Sequence, residues 1–266
     1  MNSHTSQEKL PLDYFALVFA LAVPFWLFGG SKLPLPINLP AGALVTVVPV
    51  TAASILVYRK SGIAGVKALL KKTVDYRRIK RKVWILPALV VPPAIYVGSY
   101  AVMRLTGMPL PEQVEIPLQE VPIFFMLYFL GDAGEELGWS GYALDPMQNR
   151  WGALKSGLIL GGIWALWHVP TFVQTGNPAS WVMWQSLKTV AMRVMIVWVY
   201  NNTNRSVFAA NLYHTADNVS WSLFPNYGSH YNPSITNLLN WIAVGVVAFA
   251  WGAKTLARFR FGKHVS

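Results

Sequence analysis

The sequence contains no cysteine, which removes disulfides, thiolate nucleophiles and Cys-ligated metal centres from consideration. It is also poor in charge. Only 12% of the residues are Asp, Glu, Lys or Arg, about half of the ~25% usual in soluble domains. Acids are the scarcer sign, 11 against 22 Lys and Arg, and there is no internal repeat or low-complexity tract. What is present in excess is hydrocarbon, at 54% of 266 residues. Apolar runs of ~20 residues are what a bilayer span requires, so the composition predicts an all-α, polytopic membrane helix bundle. Residues 1–266 form one domain in this reading, with no separate soluble part.

Eight runs qualify: 14–28, 41–58, 83–103, 121–144, 156–172, 179–200, 206–223 and 235–253. The first reads as a retained helix, because no small-residue cleavage site follows it convincingly. Pro87, Pro92 and Pro93 predict kinks in the third run. Gly157 and Gly161, four apart in the fifth, predict close backbone contact with another helix. Residues 65–70 suit a short amphipathic surface helix, and 145–155 a short polar connection.

A net charge of +11 is compatible with nucleic-acid binding, but its distribution speaks against that partner. Ten of the 22 basic residues fall between Arg59 and Lys82, directly between two apolar runs, as in a cytoplasmic loop facing anionic lipid. With eight spans, both termini, 145–155 and the 201–205 turn share that side. Eighteen basic residues then lie on it, against Lys32 and Arg104 opposite. The positive-inside rule places that side, and both termini, in the cytoplasm. The glycosylation patterns at Asn201 and Asn204 fall on the same side and carry no weight.

The fourth run changes from pure hydrocarbon to Gly131-Asp132-Ala133-Gly134-Glu135-Glu136-Leu137-Gly138-Trp139-Ser140. An acid at the centre of a membrane helix costs roughly 2.5–3.5 kcal/mol, so these carboxylates predict a functional site with partners elsewhere in the bundle. The partners are His168 on the fifth span, Arg193 on the sixth, and His214 with Asn218 on the seventh. His214 and Asn218 are four apart and share a helix face. At 1.5 Å per residue, Glu135 and His214 lie about 13 and 12 Å in from the basic side, and His168 and Asn218 about 18 Å. One polar layer results, pictured here as a cavity open to the cytoplasm. Asp132 receives no role, and Trp164, Trp167, Trp181 and Trp184 read as interfacial belt and packing.

A carboxylate, two imidazoles and a carboxamide at one depth suit hydrolysis. A Glu can take a proton from water, with a His beside it to orient that water. A second His and an Asn can donate to the oxyanion that forms on a scissile carbonyl. Alternatively, Glu135, His168 and His214 could ligate a divalent metal such as zinc, with one position left for water. Residue types alone leave both mechanisms open.

Three motifs carry a resemblance. Glu135-Glu136-Leu137-Gly138-Trp139, Trp164-x-x-x-His168-Val169-Pro170 and His214-x-x-x-Asn218 resemble, in order and on successive spans, those of the CAAX-protease and bacteriocin-processing family (CPBP, or ABI) of intramembrane proteases. Gln148-Asn149-Arg150-Trp151-Gly152 fits as well. The similarity runs from about Phe124 to Asn218, inside a motif-bearing core of about 121–223. It implies a multi-pass endopeptidase of a bacterial or archaeal cell membrane, acting on a peptide or lipidated protein. Eukaryotic and archaeal members cut the last three residues from prenylated CAAX proteins, and bacterial members are linked to bacteriocin maturation or immunity. By position, Glu135 would be the water-activating base, His168 its assistant, His214 and Asn218 the oxyanion site, and Glu136 a supporting charge.

The sequence departs from the family pattern Glu-Glu-x-x-x-Arg at Ser140, four residues after Glu136. The missing Arg would pair with Glu136 along the helix. Arg193, about 10 Å in from the cytoplasmic end of its span, is at a depth to replace it. Two other functions use the same residues: a catalytically weakened immunity or scaffold protein, and a transporter with a proton relay. A transporter is expected to show broken helices in two related halves, and the Pro-rich third span has no counterpart.

Overall fold

Nine α-helices account for most of the described residues, 9–29 and 41–261, in the computed structural model of the chain. They are α1 (Leu12–Phe28), α2 (Val48–Leu70), α3 (Ile85–Leu105), α4 (Val121–Gly138), α5 (Leu144–Trp151), α6 (Ala153–Gln174), α7 (Ala179–Asn202), α8 (Val207–Leu223) and α9 (Pro233–Trp251). No strand occurs among the described residues. Residues 33–36, Lys32 and Lys263 lie outside them.

The eight expected spans are all helical, and the bundle is inside-out relative to a soluble one. On α4, Ile123, Met126, Leu127 and Leu130 are exposed, while Asp132, Glu135 and Glu136 are buried. On α9, Leu238, Ile242, Val246 and Phe249 form an exposed stripe, the kind of surface a lipid-facing helix presents. Five segments, containing α2, α3, α6, α7 and α9, are long and apolar enough to cross a membrane. The acids of α4 and the His, Asp and Asn of α8 lower the apolarity of those two, because they carry the polar layer.

Helix α7 runs through the interior. From Lys188 to Tyr200 all but one of its residues are buried, and it packs on α6, α8 and α9. Its contact with α6 is close because Gly157 and Gly161 face it. A Cβ on Gly161 would lie 2.9 Å from Val190 Cα, and one on Gly157 3.3 Å from Val194 Cα. Helix α8 packs on α3, α4 and α7, and α2 flanks α4.

Three segments add local detail, and one of them corrects an expectation. Residues 145–155 are not a simple polar connection: Leu144 and Met147 bury one face of α5, and α6 begins at Ala153. The turn between them is made by Gly152 at φ 76°, where a Cβ would also meet Lys254 O at 3.0 Å. The basic segment is likewise mostly helical. Helix α2 continues to Leu70, interrupted only at Gly62 (φ 59°, ψ −161°), so the expected short helix at 65–70 exists as its last part. Helix α3 runs unbroken over Ile85–Leu105 with Pro92 and Pro93 inside it.

The ends of the helices sort onto two faces as the charge count requires. On the basic face, Arg78 donates to Asn204 O (3.2 Å) and Asn201 to Thr255 O (2.8 Å). Asp75 accepts from Ser206 Oγ (2.6 Å) and Phe208 N (3.1 Å), capping α8 at its positive end. On the opposite face, Asn226 bonds to Gln113 O and Glu115 N, and Tyr227 to Glu120.

Candidate functional site

Helix α4 supplies three acids within little more than one turn. Asp132 precedes Glu135 by three residues and Glu136 by four, spacings that place side chains on neighbouring rows. All three are buried, Glu136 completely.

Glu136 is fully engaged. Arg193 Nη1 donates to its Oε2 at 2.8 Å, and Ser140 Oγ donates to the same oxygen. Its Oε1 lies 3.1 Å from His214 Nδ1. Arg193 thus supplies Glu136 with a counter-charge, reaching it from α7 rather than along α4, with Ser140 Oγ 3.3 Å away. Its guanidinium also lies 4.0 Å from the centre of the Trp164 ring, a cation–π contact. Beyond Glu136 the helix widens into a π-helical turn, Trp139–Ala143, and Lys72 donates to Gly141 O at 2.6 Å.

Glu135 has a different setting. Trp164 Nε1 donates to its Oε2 at 2.7 Å, and His168 Nε2 stands 4.0 Å from that oxygen. His168 Nδ1 is held by Trp164 O at 3.0 Å, so one residue orients both the carboxylate and the imidazole. The His168 side chain is 19% exposed against 4% for Glu135, which makes it the group that faces the cavity. Trp164 and Trp167 are buried at 2% and 1%. The reading of these two as interfacial belt therefore fails: their rings pack against His168, and Trp164 also against His214.

Asp132, without a role in the sequence reading, joins the group. Its Oδ1 accepts from Asn218 Nδ2 at 2.9 Å and lies 3.6 Å from His214 Nε2. Its Oδ2 is buried with no hydrogen-bond partner. Glu135, His168, His214 and Asn218 all come together as expected, with Glu136 behind His214.

The donor set also bears on a metal. One ligand atom each from Asp132, Glu135 and His214 lie within 4.8 Å of one another, the one such cluster among the described residues. His168 is not part of it, so the trio differs from Glu135, His168 and His214 by one residue. Two carboxylates and an imidazole, with an orphaned Asp132 oxygen, fit a divalent ion.

A second buried pair escaped the sequence reading. Lys188 on α7 contacts Asp217 on α8, and Tyr96 donates to the same carboxylate at 3.3 Å. A lysine and an aspartate isolated on separate spans were the available signal, since each needs a partner in an apolar interior.

Trp164, His168, His214 and Asn218, with Lys188 and Asp217, line one end of a cavity of about 640 Å³ whose walls include Tyr96, Phe172, Trp181, Gln185, Trp221 and Tyr231, and the three acids of α4 lie behind that lining. None of the described residues of the basic segments lines this cavity. Its exposed lining residues are Thr175 and Ser229, in the α6–α7 and α8–α9 turns, and Trp221 on α8. Toward the basic face from the three acids, Tyr14, Trp139, Ala143 and Leu144 are all 0% exposed.

Residues 117–220 match the family described as type II CAAX prenyl endopeptidase, Rce1-like. A CAAX prenyl protease 2 of Methanococcus maripaludis is 31% identical over 111 residues, 39% of this chain and 41% of that protein. The chain therefore matches less than half the length of this curated relative. Both similarities fall on the segment that carries the three motifs, and the resemblance read from those motifs is borne out over it.

Proposed function

We propose that this chain, whose central segment is that of a CAAX-family membrane protease, is an intramembrane endopeptidase that uses Glu135 to activate water. The observation that carries the reading is the contrast between two adjacent carboxylates. Glu136 has every oxygen occupied by Arg193, Ser140 and His214. Glu135 is anchored at one oxygen by Trp164 and has His168 beside it at the cavity end.

In the reaction, Glu135 takes a proton from water as the water oxygen bonds to the scissile carbonyl carbon. The carbonyl oxygen becomes an oxyanion, for which His214 Nε2 and the free N–H of Asn218 are the available donors. The C–N bond then breaks, the proton held by Glu135 passes to the departing amine, and an acid and an amine leave. His168 orients the water. Glu136 holds His214 by Nδ1, so that Nε2 faces the reacting atoms.

A second reading is favoured by the unpartnered Asp132 oxygen. A divalent ion held by Asp132, Glu135 and His214 would supply an activated water from its open position. The substrate class implied by the relative's name is a prenylated C-terminal peptide, and a bacteriocin-like peptide is the family's other association. The test offers purified protein peptide libraries with and without a prenyl group, beside Glu135→Ala. Cleavage by the native protein alone supports the reading, and equal turnover by both removes it.

A further inference from the structure

We infer that the hollow on the basic face, between α5, the end of α7 and the chain after α9, is a binding site for the headgroup of an anionic phospholipid. The protease reading places no ligand there, and the inference does not depend on it. The hollow has a volume of about 570 Å³ and shares no lining residue with the cavity at the polar layer.

Its walls include Gln148, Arg150 and Trp151 from α5, Asn201 and Arg205 from the end of α7 and the turn after it, and Lys254. Three cations share the hollow, and no acid is among its lining residues. Asp145 lies 3.4 Å from Arg205. Among the described residues no acid comes within 4.0 Å of Arg150 or Lys254. Clustered charges of one sign repel and draw in a counter-ion, and a phosphate group has the charge and acceptors to be it. The walls are also fixed to one another. Gln148 and Asn201 exchange two side-chain hydrogen bonds, at 3.2 and 2.7 Å. Asn201 also donates to Thr255 O at 2.8 Å, and Asn202 to Leu256 O at 2.7 Å. Ala153 N donates to Lys254 O at 2.8 Å. The segment 148–152, to which hydrolysis gives no part, is thereby joined with the tail after α9 into one concave surface.

Position makes the ligand a lipid rather than a soluble anion. The segments containing α6, α7 and α9 are each long and apolar enough to cross a membrane. The hollow lies at the ends of all three, for Gly152 precedes α6, Asn201 is in the last turn of α7 and Lys254 follows α9. Cations in a pocket between the ends of spans meet the headgroups of anionic lipids. Beyond the hollow, Arg258 N donates to Trp251 O at 3.2 Å and Arg260 N to Ala250 O at 2.8 Å, which lays the tail along α9. Phe249, Phe259 and Phe261 are exposed there. The ring of Phe261 is 5.8 Å from that of Phe249, and Phe259 is 4.9 Å from Trp251. Exposed aromatic rings beside exposed cations suit acyl chains that hang from a charged headgroup.

The test titrates the full chain, purified in a neutral detergent, with phosphatidylglycerol and with phosphatidylcholine of the same acyl chains. Native mass spectrometry reads the bound lipid. Phosphatidylglycerol should bind about tenfold more tightly or better. Arg150→Gln combined with Lys254→Gln should lower that affinity by about tenfold and leave phosphatidylcholine unaffected. Both residues are exposed, and the melting temperature checks that the fold persists. Lys60→Gln combined with Arg81→Gln removes the same charge from exposed positions outside the hollow, and should change the affinity by less than about twofold. Raising the salt concentration screens exposed charges and needs no variant: the affinity for phosphatidylglycerol should fall toward that for phosphatidylcholine. Equal affinity for the two lipids, equal loss in the two double variants, or an affinity indifferent to salt overturns the inference. So does displacement of the lipid by inorganic phosphate at equal concentration, which would make the hollow a site for a soluble anion.

Discussion

Arg193 on α7 and Glu136 on α4 form an ion pair at 2.8 Å, with both side chains fully buried. The pair joins two helices that are not neighbours in sequence and positions His214 behind it. The counter-charge of Glu136 comes from another helix, and Ser140 on α4 donates to the same carboxylate oxygen.

Breaking such a pair leaves a buried charge without compensation. Arg193→Gln and Glu136→Gln should each lower stability by roughly 3–5 kcal/mol. The double variant should lose less than the sum, with an interaction of about 0.5–3 kcal/mol. Denaturation of the purified protein measures both. Ser140→Arg in the Arg193→Gln background should restore part of the loss, because it returns the cation to the helix position four residues after Glu136. Additive single effects would mean that the pair does not contribute as a unit.

The close seam between α6 and α7 makes a sharper steric prediction. Gly161 and Gly162 are adjacent, yet a Cβ on Gly161 meets Val190 backbone at 2.9 Å, and one on Gly162 meets nothing within 4 Å. Gly161→Ala should lower the melting temperature. Gly162→Ala should hold or raise it, since alanine favours a helix over glycine by about 1 kcal/mol.

Trp164 is the residue whose role the sequence hid. Trp164→Phe keeps the ring against His168 and removes the N–H given to Glu135. A hydrogen bond to a charged group contributes about 1.5–3 kcal/mol, so kcat should fall roughly 10- to 100-fold with KM little changed. A change confined to KM would place Trp164 in substrate binding instead.

Asp132 separates the two mechanisms. With Glu135 acting on water directly, a strong zinc chelator leaves cleavage unchanged. Asp132→Asn then acts only through His214 and Asn218, within roughly tenfold. Loss of activity in chelator, restored by added zinc in the native protein but not in Asp132→Asn, would transfer the chemistry to an ion on Asp132, Glu135 and His214.

Much of this was legible in the residues. The spans follow from apolar runs, and Arg193 was found by counting depth, because a buried acid and a buried base must meet somewhere. Gly157 and Gly161 announced their contact by spacing. Asp132 was not assigned, since a carboxylate one turn from two others could as readily have served packing. Tryptophan serves both interfaces and cores, so Trp164 gave no sign of its direction. The helix α5 was missed although Leu144 and Met147 stand three apart, because the polar residues between them read as a loop. The lining of the cavity is a property of how helix ends splay, which no linear count along one helix contains.

The division of labour between Glu135 and Glu136 is tested most directly by one paired comparison of purified Glu135→Gln with the native protein, on a peptide that the native protein cleaves. Turnover should fall by about 10²–10⁴-fold, the contribution of a positioned general base, while the melting temperature stays within a few degrees. Turnover that survives Glu135→Gln with the fold intact would contradict the account.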